Sequence, residues 1–189
     1  MKKIWLAFLL IQIISCTQKK FDNPHILIDT NYGNIEAELY PAKAPKTVAA
    51  FLSYIDSGFY KNTTFYRVLK NEDMPMDINY GVIQGGIWPL EKNIKGVEHE
   101  STTNTGLSHT NGTLSLARTG IGTGTTEFFI CNGDETIFDA GNKGRADTLG
   151  FAAFGQVVHG MDIVRKIQNQ KNNGENFIAK IIINNITKL

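Results

Sequence analysis

Short runs of β-forming residues recur along this chain, and turn residues separate most of them. One run, Ile35 to Leu39, alternates apolar with acidic residues, as expected for a strand with one solvated face. Many short strands with few helices predict a β-barrel or a β-sandwich. The predicted strands cover residues 25–29, 35–39, 64–68, 81–84, 113–117, 128–131, 151–158 and 177–186. In the last of these, apolar residues fall on both faces, which predicts a strand buried within a closed sheet.

Two segments show the period of an amphipathic helix. The first runs from Pro45 to Ser57, where the proline suits the first turn and Gly58 is placed to end the helix. The second runs from Met161 to Ile167. The residues expected to face inward are Val48, Phe51, Leu52 and Ile55 in the first helix, and Ile163, Val164 and Ile167 in the second.

Residues 1–15 have the three parts of a secretory signal peptide: a lysine pair, an apolar run from Ile4 to Ile14 and a short polar end. The apolar run is too short for a permanent membrane span. Residues 13–16 resemble a bacterial lipobox, which implies cleavage before Cys16 and lipidation of that cysteine. Secretion without a lipid, with Cys16 an ordinary thiol, is the alternative.

The mature protein is then expected to start at Cys16. Residues 16–24 would form the lipidated cysteine and a polar tether, and residues 25–189 one domain of ordinary size. Thr17 after the cysteine favours the outer membrane. We expect the protein to be lipid-anchored in the cell envelope, on the periplasmic face of that membrane. Cys131 would be the only other cysteine, so we expect no internal disulfide and interpret Cys131 as a small buried apolar residue.

The charge balance argues against several classes of partner. Loss of the signal peptide leaves 17 basic residues against 18 acidic ones. No excess charge would then draw the protein to nucleic acid or to anionic lipid. We therefore expect the lipid anchor to be the only membrane contact, and we expect a monomer.

Other catalytic chemistries find little support in the sequence. The four histidines lack metal-ligand spacing and are interpreted as surface or turn residues, so neither a metal nor a cofactor is expected. The glycine-rich segment 120–124 precedes a strand and lacks the lysine of a phosphate-binding loop. Asp139 and Asp147 are interpreted as turn residues. No serine stands in the elbow of a hydrolase, and no base is indicated for one.

The remaining polar feature is an arginine among apolar residues. Arg67 lies within the predicted strand 64–68, and after a polar insertion, 70–79, interpreted as an exposed loop, comes the motif Val82-Ile-Gln-Gly-Gly86. Because burial of an unpaired guanidinium is costly, Arg67 should face either water or a pocket. Segment 85–111 should form a long ordered loop region, which Trp88, Leu90, Val97 and Leu107 can pin.

Five sequence blocks, taken in order and spacing, resemble the cyclophilin family of peptidyl-prolyl isomerases. They are Phe65-Tyr-Arg-Val68, Val82-Ile-Gln-Gly-Gly86, Gly112-Thr-Leu-Ser-Leu-Ala-Arg118, Glu127-Phe-Phe-Ile-Cys131 and Phe154-Gly-Gln-Val-Val-His-Gly-Met-Asp162. The resemblance covers residues 25–189. It implies a mainly β fold, a closed eight-stranded antiparallel barrel with two helices capping its ends. It also implies catalysis of rotation about Xaa-Pro bonds, which would assist the folding of exported proteins, with proline-containing polypeptides as partners.

The resemblance also implies a set of site residues. Arg67 matches the catalytic arginine, Gln84 the glutamine that orients it, and Phe129 the aromatic floor of the proline pocket. The remaining implied substrate-binding residues are Phe65, Val82, Ala117, Arg118, Glu127, Phe138 and Phe151.

Several positions depart from the family pattern, notably Tyr66 for histidine, Glu127 for glutamine and Ile137 for tryptophan. Gly81 stands where a pocket phenylalanine is usual, so either Phe151 or a side chain of the 70–80 insertion refills that wall, or the proline is held more loosely. Two other functions remain open: a proline-peptide binding or chaperone module with little turnover, and a barrel lipoprotein that carries a small apolar ligand. Large inward residues such as Ile181 and Ile183 argue against an internal cavity for such a ligand.

Overall fold

The structure, a computed structural model, describes residues 21–70, 81–89, 93–142 and 147–189. The strands are β1 (His25–Thr30), β2 (Gly33–Leu39), β3 (Thr63–Leu69), β4 (Val82–Gly86), β5 (Thr113–Leu116), β6 (Phe128–Cys131), β7 (Ala152–His159), β8 (Asn172–Asn173) and β9 (Asn176–Lys188). The helices are α1 (Pro45–Asp56), α2 (Thr102–Thr105) and α3 (Met161–Gln168).

The strands form one antiparallel sheet in the order β1-β2-β7-β5-β6-β4-β3-β9. Strand β9 also pairs with β1, which closes the sheet into an eight-stranded barrel. The short strand β8 adds only a hairpin to β9. The predicted closed antiparallel barrel is confirmed, and closure leaves no free edge among these eight strands.

Both main helices contribute to the hydrophobic core of the barrel. Helix α1 begins with Pro45, as predicted, and its Phe51 side chain is fully buried against Phe128 and Phe154. Helix α3 buries Val164 and Ile167. These helices therefore cover apolar side chains that the barrel would otherwise expose to water.

The N-terminus of α1 receives its cap from a distant loop. Carboxylate oxygens of Glu100 accept hydrogen bonds from the backbone N–H groups of Lys46, at 3.1 Å, and Thr47, at 2.8 Å. The Thr47 hydroxyl donates to the same carboxylate at 2.7 Å. A negative group at this end also complements the helix dipole, so the contact stabilises the packing of α1.

The prediction that β9 is buried on both faces is wrong. Ile181 and Ile183 are fully buried, but Ile178 is 67% exposed. The strand alternates in its middle, because one face points into the barrel and the other into solvent. Trp88, expected to pin the loop after β4, is also largely exposed, whereas Val97 and Leu107 do pack against the core.

Cys131 is fully buried, as predicted, and burial raises the pKa of its thiol well above the usual value. Residues 1–20, which contain the predicted signal peptide and Cys16, lie outside the described residues, as do 71–80 and Leu90. Within the described ranges, no helix has the length and apolar character needed to cross a membrane.

Candidate active site

A β-bulge at Tyr66 decides which side chains of β3 reach the outer surface. Phe65 pairs with Gly85 and Arg67 with Gln84, so two steps along β3 oppose one step along β4. Regular alternation would place residues 65 and 67 on the same face. The extra residue instead turns Tyr66 and Arg67 outward, while Phe65 points into the core.

The predicted contact of Phe65 with substrate is therefore corrected. Its side chain is 1% exposed and packs edge-on against Phe128 inside the barrel, with ring centroids 5.7 Å apart. The other nine predicted site residues share one open cleft of about 640 Å³ on the barrel surface. They are Arg67, Val82, Gln84, Ala117, Arg118, Glu127, Phe129, Phe138 and Phe151, and the cleft is also lined by Tyr66, Leu69, Trp88, Thr119, Thr123, Thr125 and Glu175.

Arg67 is held at the edge of this cleft by two side chains. Its Nη1 donates to Oε1 of Gln84 over 2.9 Å, and its Nε donates to Oε2 of Glu175 over 2.6 Å. Glu175 reaches it because the next residue, Asn176, is the register partner of Arg67 on β9. About a third of the arginine side chain remains exposed, so the group faces the cleft with a fixed orientation.

Three aromatic rings form the apolar part of the cleft. Phe129, Phe138 and Phe151 contact one another edge to face, with centroid distances of 5.2 to 5.5 Å. Val82 and Leu69 belong to the same buried cluster. The arrangement offers a dry, rigid surface beside a charged donor, and a small apolar ring fits such a surface.

Gly81 has no room for the aromatic side chain that the family pattern suggests. A Cβ atom there would lie 2.3 Å from the backbone oxygen of Asn132, and the Gly81 N–H donates to Glu135 over 2.6 Å. Phe151 supplies an aromatic wall of the cleft instead. The alternative source of a wall, the 70–80 insertion, falls almost entirely outside the described residues.

Arg118 lines the cleft, but its guanidinium is engaged elsewhere. It forms a two-pronged ion pair with Asp147, and its Nε donates to the carbonyl oxygen of Gly150 over 2.9 Å. Gly150 precedes Phe151, so the buried guanidinium braces the wall that carries this ring. Any contact of residue 118 with a ligand is thus left to its backbone and its alkyl chain.

Glu127 also lies in the cleft with its carboxylate already bound. Oε1 accepts from the backbone N–H groups of Ile87, at 2.9 Å, and Trp88, at 3.1 Å. Oε2 accepts from the Tyr66 hydroxyl over 2.7 Å. Burial raises the pKa of Glu127, and these hydrogen bonds oppose the rise by favouring the ionised form.

The interpretation of the histidines as surface or turn residues fails for His109, which is fully buried. Its Nδ1 lies 2.6 Å from Oδ1 of Asp139 and its Nε2 lies 2.8 Å from the hydroxyl of Ser115. This order resembles a hydrolytic triad, but Ser115 is 0% exposed and no substrate reaches it. The imidazole stacks on Phe129 at 5.9 Å, so the three residues support the aromatic floor from below.

Glu135, whose carboxylate accepts from the Gly81 N–H, is a buried acidic residue that no sequence pattern indicates. It is 0% exposed, and burial raises its pKa to about 7. Oε1 accepts from Gly81, and Oε2 has no hydrogen-bond partner among the residues that the structure describes. Glu175 is another site residue that the sequence does not predict. It lies in a polar turn more than 100 residues from Arg67, and no sequence pattern indicates a contact between the two.

Comparisons with known proteins agree with this architecture. The model of the family described as cyclophilin type peptidyl-prolyl cis-trans isomerase/CLD matches residues 25–188. The chain is 39% identical to a peptidyl-prolyl cis-trans isomerase of Acinetobacter baylyi over 152 residues, which cover 78% of this chain and 73% of the relative. It is 36% identical to peptidyl-prolyl cis-trans isomerase B of Escherichia coli over 146 residues, 76% of this chain and 83% of the relative.

Solved structures show the same fold. A cyclophilin-type isomerase of Cryptosporidium parvum superposes with a TM-score of 0.71 at 24% identity and covers 88% of this chain and 98% of its own. A second structure of that protein, in the presence of the dipeptide Ala-Pro, gives a TM-score of 0.67 at 24% identity over 86% of this chain and 96% of its own. The barrel, the cleft beside Arg67 and the match over residues 25–188 lead to one conclusion: the chain belongs to the cyclophilin-type family of peptidyl-prolyl cis-trans isomerases.

Proposed function

We propose that this chain isomerises Xaa-Pro bonds in the cleft beside Arg67, with that arginine as the catalytic donor. The observation that carries the proposal is the position of a fixed guanidinium next to three mutually packed aromatic rings. The rings would hold the proline side chain, and the arginine would face the prolyl amide. The structure of a relative in the presence of Ala-Pro supports a peptide ligand of this kind.

The chemistry needs little more than such a donor. Rotation about a prolyl amide meets a barrier of about 18–20 kcal/mol, because the nitrogen lone pair is delocalised into the carbonyl. In the twisted transition state the lone pair localises on nitrogen and becomes a hydrogen-bond acceptor. A positioned guanidinium therefore stabilises the transition state more than either isomer, and no covalent bond is broken.

An isomerisation assay with a proline-containing peptide tests this role. We expect Arg67→Ala to lower kcat/KM at least a hundredfold, which corresponds to about 2.7 kcal/mol of transition-state stabilisation. Arg165, exposed on α3 and absent from the cleft, offers a matched control as Arg165→Ala. Equal activity of wild type and Arg67→Ala would refute the catalytic role of Arg67.

A proline-peptide binding module with little turnover is the second candidate. The ion pair between Arg67 and Glu175 favours it, because a neighbouring carboxylate weakens the field of the guanidinium at a ligand atom. NMR of a bound proline peptide separates the two functions. Exchange cross-peaks between cis and trans forms would demonstrate turnover, and saturable binding without them would demonstrate a binding module.

We further propose that the chain is a lipoprotein of the cell envelope that acts on exported proteins from the periplasmic face of the outer membrane. The support is the lysine pair, the apolar run and the small residue before Cys16. Incorporation of a labelled fatty acid in cells tests the anchor. The label should disappear in Cys16→Ser and persist in Cys131→Ala, and a label retained by Cys16→Ser would contradict the proposal.

A further inference from the structure

The side-chain amide of Gln84 has two chemically different ends, and each has its own partner. Oε1 accepts from Arg67, while Nε2 donates to the hydroxyl oxygen of Tyr66 over 2.8 Å. A rotation of 180° would exchange the two ends with almost no change in shape. It would then present an N–H donor to a guanidinium, which has only donors, and the arginine would lose its contact.

The Tyr66 hydroxyl determines which of these orientations the amide adopts. This hydroxyl has one proton, and it donates that proton to Oε2 of Glu127. Its oxygen is then left as an acceptor, which only the Nε2 end of Gln84 can satisfy. An ionised carboxylate has no proton to give, so the direction of the whole chain of hydrogen bonds is set at Glu127.

We propose that Glu127, acting through Tyr66, is a positioning residue that holds the Gln84 amide with Oε1 toward Arg67. This inference rests on the proposed function of Arg67 and reassigns Glu127, which the family resemblance implied to be a substrate contact. The carboxylate fixes the hydroxyl, the hydroxyl fixes the amide, and the amide fixes the guanidinium at the edge of the apolar cleft.

The surroundings of Glu127 are built to keep it in place. Its other oxygen accepts from two consecutive backbone N–H groups, those of Ile87 and Trp88, and from the Thr126 hydroxyl at 3.2 Å. Gly86 has a φ of +154°, and a Cβ atom there would lie 2.5 Å from the carboxylate. The backbone of β4 therefore leaves space for this carboxylate that a side chain at position 86 would remove.

The hydroxyl is also suited to act as a permanent donor. Burial, followed by the charge of Glu127 and its hydrogen bond, raises the pKa of Tyr66 well above its usual value. The tyrosine therefore keeps its proton throughout the pH range in which an isomerase is assayed. The histidine that is usual at this position would titrate within that range, whereas tyrosine does not.

Two conservative variants test the relay in the isomerisation assay. Tyr66→Phe removes the hydroxyl. Glu127→Gln keeps the shape of the side chain but replaces the carboxylate with an amide. The backbone N–H groups of residues 87 and 88 require the carbonyl oxygen of that amide, so its N–H₂ group faces Tyr66. We expect each to lower kcat at least fivefold with KM within twofold. The kcat of the double variant should be at most twofold lower than that of the worse single variant, because both changes break the same chain of hydrogen bonds.

Tyr32→Phe and Glu98→Gln make the same chemical changes outside the cleft and should leave kcat unchanged. A loss confined to KM would make Glu127 a substrate contact and overturn the proposal. Losses that multiply in the double variant would also overturn it, since independent effects multiply.

A readout without turnover separates this inference from the proposed function. The side-chain N–H₂ resonances of Gln84, observed by NMR in the ligand-free protein, should shift in both Tyr66→Phe and Glu127→Gln and stay in place in the two controls. Unchanged Gln84 resonances in Glu127→Gln would refute the relay. An inactive wild type with shifted resonances would instead contradict the proposed function and support the relay.

Discussion

Nη1 of Arg67 lies 2.9 Å from Oε1 of Gln84, and the two residues are register partners on β3 and β4. The contact joins two strands of a closed barrel, so neither residue depends on a loop for its position. The second partner of the arginine, Glu175, belongs to the turn between β8 and β9 and is about half exposed. The two contacts should therefore differ in their value for catalysis.

We expect Gln84→Ala to lower kcat/KM at least tenfold, or about 1.4 kcal/mol, because the arginine loses the partner that is fixed by the sheet. Glu175→Gln should change kcat/KM less than threefold, since exposed ion pairs contribute about 0–1 kcal/mol. Steady-state isomerisation kinetics of both variants at two salt concentrations provide the measurement. A larger loss in Glu175→Gln would show that the ion pair is the principal positioning contact.

Gly81→Ala should destabilise the protein by about 1–3 kcal/mol, because its Cβ would lie 2.3 Å from a backbone oxygen that cannot move independently. Gly120→Ala is the matched control, since a Cβ there meets only the Thr123 methyl group at an ordinary 3.6 Å. Urea denaturation, monitored by tryptophan fluorescence, measures the free energy of unfolding of both variants. Similar stabilities of the two variants would contradict the close packing at residue 81.

Much of the fold follows from local patterns, whereas the site depends on exceptions to them. Alternation and helical period predict the strands and helices because one face of each element must be buried. The bulge at Tyr66 is an exception, since nothing in the sequence Phe65-Tyr-Arg67 distinguishes a bulged strand from a regular one. The resemblance placed Phe65 among the substrate contacts, whereas the bulge turns it into the core, and regular alternation gives no reason to expect that Tyr66 faces the cleft.

Contacts over long sequence separations also leave no trace in local sequence patterns. His109 has two polar partners, Asp139 and Ser115, and only the folded barrel brings all three together under Phe129. A histidine with both nitrogens bonded can be buried at low cost, whereas the sequence alone suggested an exposed one. The same holds for Glu175, whose partner is 108 residues away.

The stability of the protein should depend on pH through Glu135. Burial raises its pKa from 4.5 in the unfolded chain to about 7 in the folded protein. Between these values the folded state holds a proton that the unfolded state has lost, so the free energy of unfolding should fall as pH rises from about 4.5 to about 7. Glu135→Gln keeps an acceptor for the Gly81 N–H and removes the ionisation. The urea midpoint of Glu135→Gln, measured relative to that of wild type, should therefore increase from pH 5 to pH 8.

Glu98→Gln, a change at a mostly exposed glutamate, serves as the control for this pH series. It should leave the pH dependence of the urea midpoint as it is in wild type. The low pKa of Asp139 cannot imitate the effect: burial acts to raise it, but hydrogen bonds from His109 and Ser108 outweigh burial, so this group titrates below the window. A constant difference between Glu135→Gln and wild type at all pH values would rule out titration of Glu135 in this range.

The loop that supplies the N-terminal cap of α1, Glu100, also carries a second glutamate that serves as a control. Glu100→Ala leaves the N–H groups of Lys46 and Thr47 without their acceptor and should lower the free energy of unfolding by about 1–2 kcal/mol. Glu98, two residues away, forms an exposed ion pair with the Lys46 ammonium, so Glu98→Ala should cost less than about 0.5 kcal/mol. Urea denaturation at low and high salt separates the effects of the two variants. The loss of stability in Glu100→Ala should persist at high salt, because it depends on backbone hydrogen bonds at a partly buried helix end. Equal losses in the two variants would mean that general charge, and not the cap, holds α1 against the barrel.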